Sequence, residues 1–197
     1  MKRDLKNIPE EADRPSEGVL TAAFNAHSSV IRFGAVALDA DGNPLSAGWN
    51  GRPDEEDLKT AKQLSVLLKQ LAEKKGLDPK TVNLVPGFGF RQTMHAEGRA
   101  VVNLVKKSGT LSDVFKIARV QIVPVLPNGK YYGIKKIEPE EKELWATCRH
   151  CARILELIGA KGEMLTTRGG WMPLNPHDAF ESATTNRKVP RDFWDKE

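Results

Sequence analysis

The sequence predicts a single α/β domain, and three observations lead to this prediction. Apolar residues recur at helical spacing in four separate segments. Short apolar segments of strand length lie between them, and glycine or proline ends most of the segments. A chain of 197 residues is long enough to bury one core and does not require a second domain. We therefore expect a β-sheet with helices packed against it.

The composition is typical of a soluble globular protein, with 40% hydrophobic and 28% charged residues. No apolar run approaches the roughly 18 residues of a membrane span. Residues 1–15 mix charges of both signs and lack the apolar core of a secretory signal, so we expect a cytoplasmic protein. The net charge of +4 and the pI near 9.0 mildly favour anionic partners. A phosphorylated small molecule fits this charge at least as well as nucleic acid does.

The first part of the chain predicts an arm, a helix and a hairpin. Residues 1–15 are expected to form an N-terminal arm, and a helix is expected from Ser16 onward because apolar residues follow at helical spacing. Two short apolar segments then flank the sequence DADGNP, whose Asp-Gly and Asn-Pro pairs form turns. This pattern predicts a β-hairpin, whose second strand leads into a loop at Trp49 and Asn50.

Two amphipathic helices are predicted in the middle of the chain. The segment Glu55–Lys75 has leucine and alanine along one face and stops at Gly76. The next helix begins near His95, has apolar residues at helical spacing, and stops at Gly109. His95 therefore lies at the N-terminal end of this helix.

The last part predicts two strands around one more helix. ARVQIVPV has the composition of a buried strand, and EMLTT is expected to form the final strand. Between them, Cys148 and Cys151 open a helix for which Thr147 is the expected N-cap. We place the domain at residues 16–167. Residues 168–197 are expected to form a C-terminal extension packed on the domain or on a neighbouring subunit.

Two of these helix starts carry the side chains of a zinc site. His95, Cys148 and Cys151 offer one imidazole and two thiolates, and the chain has no other cysteine. A catalytic zinc ion has three protein ligands and one open position, whereas a structural ion needs four ligands. Glu97 adds a carboxylate beside this set. The count of ligands therefore favours a catalytic zinc ion.

Each motif alone has an ordinary explanation. HxE is more often a capped helix start than a site, and CxxC can be a redox pair or half of a structural zinc site. Together they nearly match the H-x-E and P-C-x-x-C signature of zinc-dependent base deaminases. If a zinc-bound hydroxide attacks an amidine-like carbon, Glu97 is placed to protonate the adjacent ring nitrogen and to pass the water proton to departing ammonia.

The chain also resembles the cytidine and deoxycytidylate deaminase superfamily over most of residues 17–167. The resemblance is carried by the GWNGRP loop, the later HAE motif and the final CxxC motif. It implies a three-layer α/β/α fold with a mixed β-sheet. It also implies one zinc ion on His95, Cys148 and Cys151, with Glu97 as the proton shuttle.

The resemblance further implies a substrate class. The GWNGRP loop and the long connection before HAE look more like deoxycytidylate deaminase than tRNA adenosine deaminase. The implied reaction is hydrolysis of dCMP to dUMP and ammonia by zinc-hydroxide attack at C4, in a homo-oligomer. Asn50 would contact the sugar, although by itself it would be an ordinary turn residue. Ala96, Arg52 and Arg91 are further substrate-binding candidates, and the arginines are equally well explained as 5′-phosphate ligands or as surface residues.

The chain departs from the family pattern at three places. Thr147 precedes the first cysteine where the family has proline, and the segment between Val125 and Cys148 is an insertion. Residues 53–94 contain neither cysteine nor histidine, so we expect no second zinc ion. His150, between the cysteines, is expected to face solvent or to contact the site from outside the ligand set.

Two alternatives remain open from the sequence. The first is a deaminase of another base, or of a base within RNA or DNA, although no basic stripe interleaved with aromatic residues is present. The second is a zinc-stabilised nucleotide-binding scaffold without turnover. Glu97 counts against the scaffold, because a purely structural zinc ion needs no proton shuttle.

Overall fold

The computed structural model describes residues 32–88, 91–125, 148–165, 171–174 and 176–177. The predicted N-terminal arm and the helix predicted from Ser16 lie outside the described residues. So do Thr147, the insertion after Val125 and most of the C-terminal extension. The assigned domain boundaries therefore stay predictions.

The predicted hairpin forms from two strands, β1 (Arg32–Leu38) and β2 (Pro44–Trp49), which pair antiparallel. The turn is stabilised by Asp39, whose Oδ1 accepts hydrogen bonds from the backbone N–H groups of Asp41 at 3.0 Å and Asn43 at 2.8 Å. An aspartate that bonds the backbone two residues further on favours a turn over a continued strand. The hairpin prediction is confirmed.

The main sheet has five strands in the order β2-β1-β5-β6-β7. The added strands are β5 (Arg119–Val125), β6 (Lys161–Leu165) and β7 (Trp171–Leu174), whereas β3 (Gly87–Phe88) and β4 (Arg91–Gln92) form a separate small ribbon. β5 and β6 pair parallel and the other pairs are antiparallel, so the sheet is mixed as predicted. β7 was not predicted, because its residues fall in the segment assigned to the extension.

Three α-helices accompany the sheet in the described residues: α1 (Glu55–Lys74), α2 (Ala96–Ser108) and α3 (Arg149–Ile158). α2 and α3 end at Gly109 and Gly159, which adopt left-handed conformations with φ of 72° and 77°. Glycine adopts this conformation without the steric cost that other residues incur. Within the part of the chain that the structure describes, no helix has the length and apolar character needed to cross a membrane.

The inner strands β1 and β5 carry buried residues on both faces of the sheet. Ala35, Ala37 and Ile122 point to the face that α2 covers and belong to the main hydrophobic core. Val36 and Val123 point to the opposite face and are also buried. α3 contacts β6, and α1 packs against both α2 and α3. The α/β fold with a mixed sheet, opened by a hairpin and with both site helices packed against it, is confirmed.

Candidate metal centre

The start of α2 carries the HAE motif. His95 is the N-cap residue, with extended backbone angles of φ −78° and ψ 159°, and Glu97 lies in the first helical turn. The preceding residue, Met94, forms a backbone bridge with Gly51, in which the two N–H to oxygen distances are 3.0 and 2.9 Å. The GWNGRP loop is thereby attached to the residue next to His95.

A close approach to strand β2 also determines where α2 lies. A methyl group added at Gly48 would lie 2.4 Å from the carbonyl oxygen of Ala96 and 2.2 Å from the backbone nitrogen of Ala100. Only glycine leaves room for the two backbones at this distance. Ser46 Oγ donates a hydrogen bond of 2.7 Å to the Ala100 carbonyl, and Asn103 Nδ2 donates one of 2.8 Å to the Ala47 carbonyl. The first half of α2 is thus attached directly to the sheet.

The start of α3 carries both cysteines. Cys148 itself is the N-cap residue, with φ −72° and ψ 159°, so the prediction of Thr147 at that position was wrong. The N-cap and third helical positions of one helix start lie close together. This placement puts the sulfur atoms of Cys148 and Cys151 on one side of the helix start.

The three predicted ligand residues converge. His95 Nδ1 lies 3.2 Å from Cys148 Sγ and 3.6 Å from Cys151 Sγ, and all three ligand atoms lie within 4.8 Å of one another. Zinc bonds of about 2.3 Å to sulfur and 2.0 Å to nitrogen imply tetrahedral ligand separations of roughly 3.5 to 3.8 Å. Within the described residues this is the one cluster of metal-ligand type. It is compatible with one zinc ion, as predicted.

The electrostatics favour an anionic sulfur at Cys148. A hydrogen bond from Cys151, together with the charge of His95, holds the pKa of the Cys148 thiol well below its ordinary value despite burial. The neighbouring Cys148 thiolate and burial in turn raise the pKa of Cys151 well above its ordinary value. Burial lowers the pKa of His95, but the Cys148 thiolate outweighs it and raises that pKa to about 9. These shifts favour a thiolate at Cys148 beside a protonated imidazole at His95.

Glu97 lies beside this cluster. Glu97 is only 7% exposed, whereas glutamate is rarely buried in proteins unless it has a partner. The charge of Glu97 contributes to raising the pKa of both His95 and Cys151, which shows that its field acts on the site. The first turn of a helix stabilises a negative charge through the helix dipole.

Asn50 is oriented by the neighbouring strand. Its Oδ1 accepts a hydrogen bond of 2.7 Å from the backbone N–H of Phe33, and its own N–H donates to the Phe33 carbonyl at 3.2 Å. The backbone donor identifies the oxygen of the side-chain amide, so Nδ2 is the group that Asn50 directs away from the strand. This group is a hydrogen-bond donor.

The other predicted residues differ in their placement. The Ala96 side chain is fully buried, and Arg52 is exposed. Only the backbone of Arg91 is described, in strand β4. His150 Nδ1 lies 3.2 Å from the Thr81 carbonyl oxygen, so this ring contacts a neighbouring loop and is not part of the ligand cluster.

A buried ion pair near the loop was not predicted. Arg99 Nη1 lies 2.6 Å from Asp57 Oδ2, and both side chains are at most 5% exposed. Part of this feature has a local signal, because Asp54 and Asp57 stand at capping-box spacing at the start of α1. Its partner Arg99, on α2, has no such local signal, because it lies 42 residues further along the chain.

The three ligand residues lie within a segment that matches a known protein family. Residues 10–165 match the family described as the cytidine and deoxycytidylate deaminase zinc-binding region. Among solved structures, the chain is similar to a glutamate-to-glutamine mutant cytidine deaminase from Mycobacterium tuberculosis, at 17% sequence identity and a TM-score of 0.38. That alignment covers 82% of this chain and 87% of the other. No curated protein sequence gave a significant match.

Proposed function

Because the chain belongs to the cytidine and deoxycytidylate deaminase zinc-binding family, we propose that it is a zinc-dependent enzyme that hydrolyses dCMP to dUMP and ammonia. The observation that carries the proposal is the convergence of an imidazole and two thiol sulfurs beside a buried carboxylate. The separations of 3.2 and 3.6 Å from His95 Nδ1 to the two sulfurs suit one tetrahedral ion.

His95 Nδ1, Cys148 Sγ and Cys151 Sγ would hold the metal. A zinc ion with three protein ligands keeps one position for water and lowers the pKa of that water to about 7. The chain favours thiolate at Cys148, where a hydrogen bond from the backbone N–H of Cys151 helps to lower the pKa. At Cys151 the N–H of Gly98 also lowers the pKa, although the Cys148 thiolate and burial raise it overall. Such bonds stabilise the anionic form of a ligand.

Glu97 would move the protons of the reaction. Water adds its oxygen to C4 of the cytosine ring, and the C4–N4 bond then breaks to release ammonia. The ring nitrogen N3 must receive a proton, and N4 must receive another before it leaves. The Glu97 carboxylate would accept a proton from water and deliver it to N3. It would then carry the second water proton, from the new C4 hydroxyl, to N4, so that ammonia leaves as the C4 carbonyl forms. Its position in the first turn of α2 fixes it relative to His95 on the same helix start.

The loop at Asn50 would bind the nucleotide. We propose that Asn50 Nδ2 donates to a sugar hydroxyl, because the bond from Phe33 N–H holds the amide oxygen toward the strand and leaves Nδ2 as the donor on the other side. The backbone N–H of Ala96 is proposed to face the base, since the first N–H groups of a helix have no partner within the helix. Arg52, which is exposed, and Arg91 are proposed as 5′-phosphate ligands. The active form is proposed to be a cytoplasmic homo-oligomer.

Ammonia release by zinc-loaded protein tests the proposal. The matched substrates are dCMP, CMP, deoxycytidine, dCTP and single-stranded DNA, each at equal cytosine concentration. We expect the highest kcat/KM on dCMP and a large loss for deoxycytidine, which lacks the 5′-phosphate. A preference for single-stranded DNA would instead support the nucleic-acid alternative. If the protein binds zinc stoichiometrically but releases no ammonia from any of these substrates, the cytosine assignment would be overturned. That result would favour a scaffold without turnover or a deaminase of another base.

A further inference from the structure

The loop Trp49–Pro53 is attached to both α1 and α2 through one buried guanidinium. Arg99 Nη2 donates hydrogen bonds to the carbonyl oxygens of Arg52 at 2.9 Å and Gly51 at 3.3 Å. The guanidinium also lies over the Trp49 ring, 5.1 Å from its centroid. One side chain of α2 thus contacts the residues on either side of Asn50.

Asp57 holds that guanidinium in place from α1. Its Oδ2 is 2.6 Å from Arg99 Nη1 and accepts a bond of 3.2 Å from the Asp54 N–H. The other oxygen accepts a bond of 2.9 Å from Lys106 Nζ. The side chain of Asp57 is 1% exposed, so water has almost no access to compete for Arg99.

We infer that Arg99 is a positioning residue that sets the substrate-binding geometry of Asn50. The inference rests on the proposed function, because it assigns Asn50 to the nucleotide. The planar guanidinium can bond a carboxylate with one nitrogen and two carbonyls with another, whereas the ammonium of lysine acts as a point charge. Because the guanidinium nitrogens have fixed relative positions, Arg99 holds the loop at a fixed position relative to α2. The loop is thereby also fixed relative to His95 and Glu97 at the start of α2. Displacement of a positioning group by about 1 Å can reduce catalysis about a hundredfold.

Lys106 provides a matched comparison within the same cluster. It is also a cation on α2 bonded to Asp57, and its other ion-pair partners are Asp54 and Glu56. None of these bonds reaches residues 49–53. A variant at Lys106 therefore weakens the charge cluster without removing a bond to the loop.

The test compares Arg99→Lys with Lys106→Gln. Residue-resolved amide exchange is measured at Asn50 and Gly51, whose N–H groups bond to the carbonyls of Phe33 and Met94. We expect Arg99→Lys to increase their exchange about tenfold or more and to raise KM for dCMP about tenfold, with a smaller change in kcat and full zinc content. Lys106→Gln is expected to lower thermal stability while leaving exchange at these amides and KM unchanged.

A double variant, Asp57→Asn with Arg99→Gln, covers the case in which the lysine variant does not fold. It removes both charges together and leaves no uncompensated buried charge. We expect the same rise in loop exchange as in Arg99→Lys.

Two outcomes would overturn the inference. The first is equal effects of Arg99→Lys and Lys106→Gln on exchange and KM, which would reduce Arg99 to a stabilising residue. The second is wild-type exchange at Asn50 and Gly51 in the Arg99 variants. If the wild type releases no ammonia from any cytosine substrate, the proposed function fails, but the exchange comparison still decides whether Arg99 holds the loop.

Discussion

The starts of α2 and α3 each supply part of the metal centre, but the described residues hold them in different ways. The start of α2 is attached to the rest of the fold by the Gly51–Met94 backbone bridge and by the close contact of Gly48 with Ala96. The start of α3 contacts its surroundings through side chains, namely those of Cys148 and Cys151 toward His95 and that of His150 toward a loop carbonyl.

The two helix starts differ both in their contacts and in the side chains that they carry for the reaction. The start of α2 carries the proposed proton carrier Glu97, and we expect its backbone contacts to preorganise it whether or not metal is present. The start of α3 carries two thiols, whose side chains contact His95. We therefore expect zinc to complete the fold at α3 and to bind at a site that is already formed at α2.

Metal removal is expected to give the largest difference between the two helix starts. The first backbone bond of each helix has the same length of 2.9 Å, from Arg99 N–H to His95 and from Ala152 N–H to Cys148. After chelation we expect exchange at Ala152 to rise far more than at Arg99. The loss of stability is expected to be about 4 kcal/mol relative to zinc at 1,000 times its Kd. Chelation of Cys151→Ser, which lacks one ligand, is the control and should change little.

Equal acceleration at Ala152 and Arg99 after chelation would contradict the comparison. It would show that the metal organises both helix starts and that the contacts of α2 with the sheet are insufficient without it.

A methyl group at Gly48 is expected to break the anchoring of α2. Gly48→Ala places a carbon 2.2 to 2.8 Å from the backbone of α2, so the helix start must move. We expect a loss of about 1 to 3 kcal/mol in urea unfolding, and lower activity at unchanged zinc content. Gly98→Ala, in the same helix, is the control because its added methyl would meet its nearest neighbour at 3.4 Å. Similar losses in both variants would contradict the assigned role of Gly48.

Acidic pH is expected to weaken the attachment of α2 through the Arg99–Asp57 pair, with a smaller effect than the two preceding changes. Burial alone would raise the pKa of Asp57, but the Lys106 hydrogen bond and the Arg99 charge lower it below 3.8 in the folded protein. The charged pair therefore stabilises the fold above the unfolded-state pKa of about 3.9, and this contribution is lost as pH falls through the lower folded-state pKa. The stability difference between wild type and Asp57→Asn should shrink below about pH 4 in urea unfolding. A constant difference down to acid unfolding would contradict this.

Local sequence patterns were sufficient for the elements on which the centre depends. Leucine and alanine at helical spacing, with glycine at 76 and 109, predicted the helices at Glu55–Lys74 and Ala96–Ser108 to within a few residues. The DADGNP turn predicted the hairpin. The motifs predicted that His95 and the two cysteines would meet, which the geometry confirms. The roles of Glu97, Asn50 and the arginines stay predictions.

Features that depend on distant partners were missed. The Arg99–Asp57 pair joins residues 42 positions apart, and the capping-box spacing that marks Asp57 does not indicate its partner on α2. The Gly51–Met94 bridge and strand β7 likewise depend on which segments the fold places side by side. The N-cap of α3 was misplaced by one residue because threonine is a common N-cap, whereas Cys148 holds that position without a side-chain capping bond that a sequence pattern could indicate.

The measurement that tests the central claim most directly pairs zinc content with ammonia release in wild type and Glu97→Gln. The substitution keeps the size of the side chain and removes its ability to accept and return a proton. We predict full zinc content, an unchanged fold and a fall in kcat on dCMP of about 10² to 10⁴. A Glu97→Gln variant that binds zinc and deaminates dCMP at the wild-type rate would contradict the account.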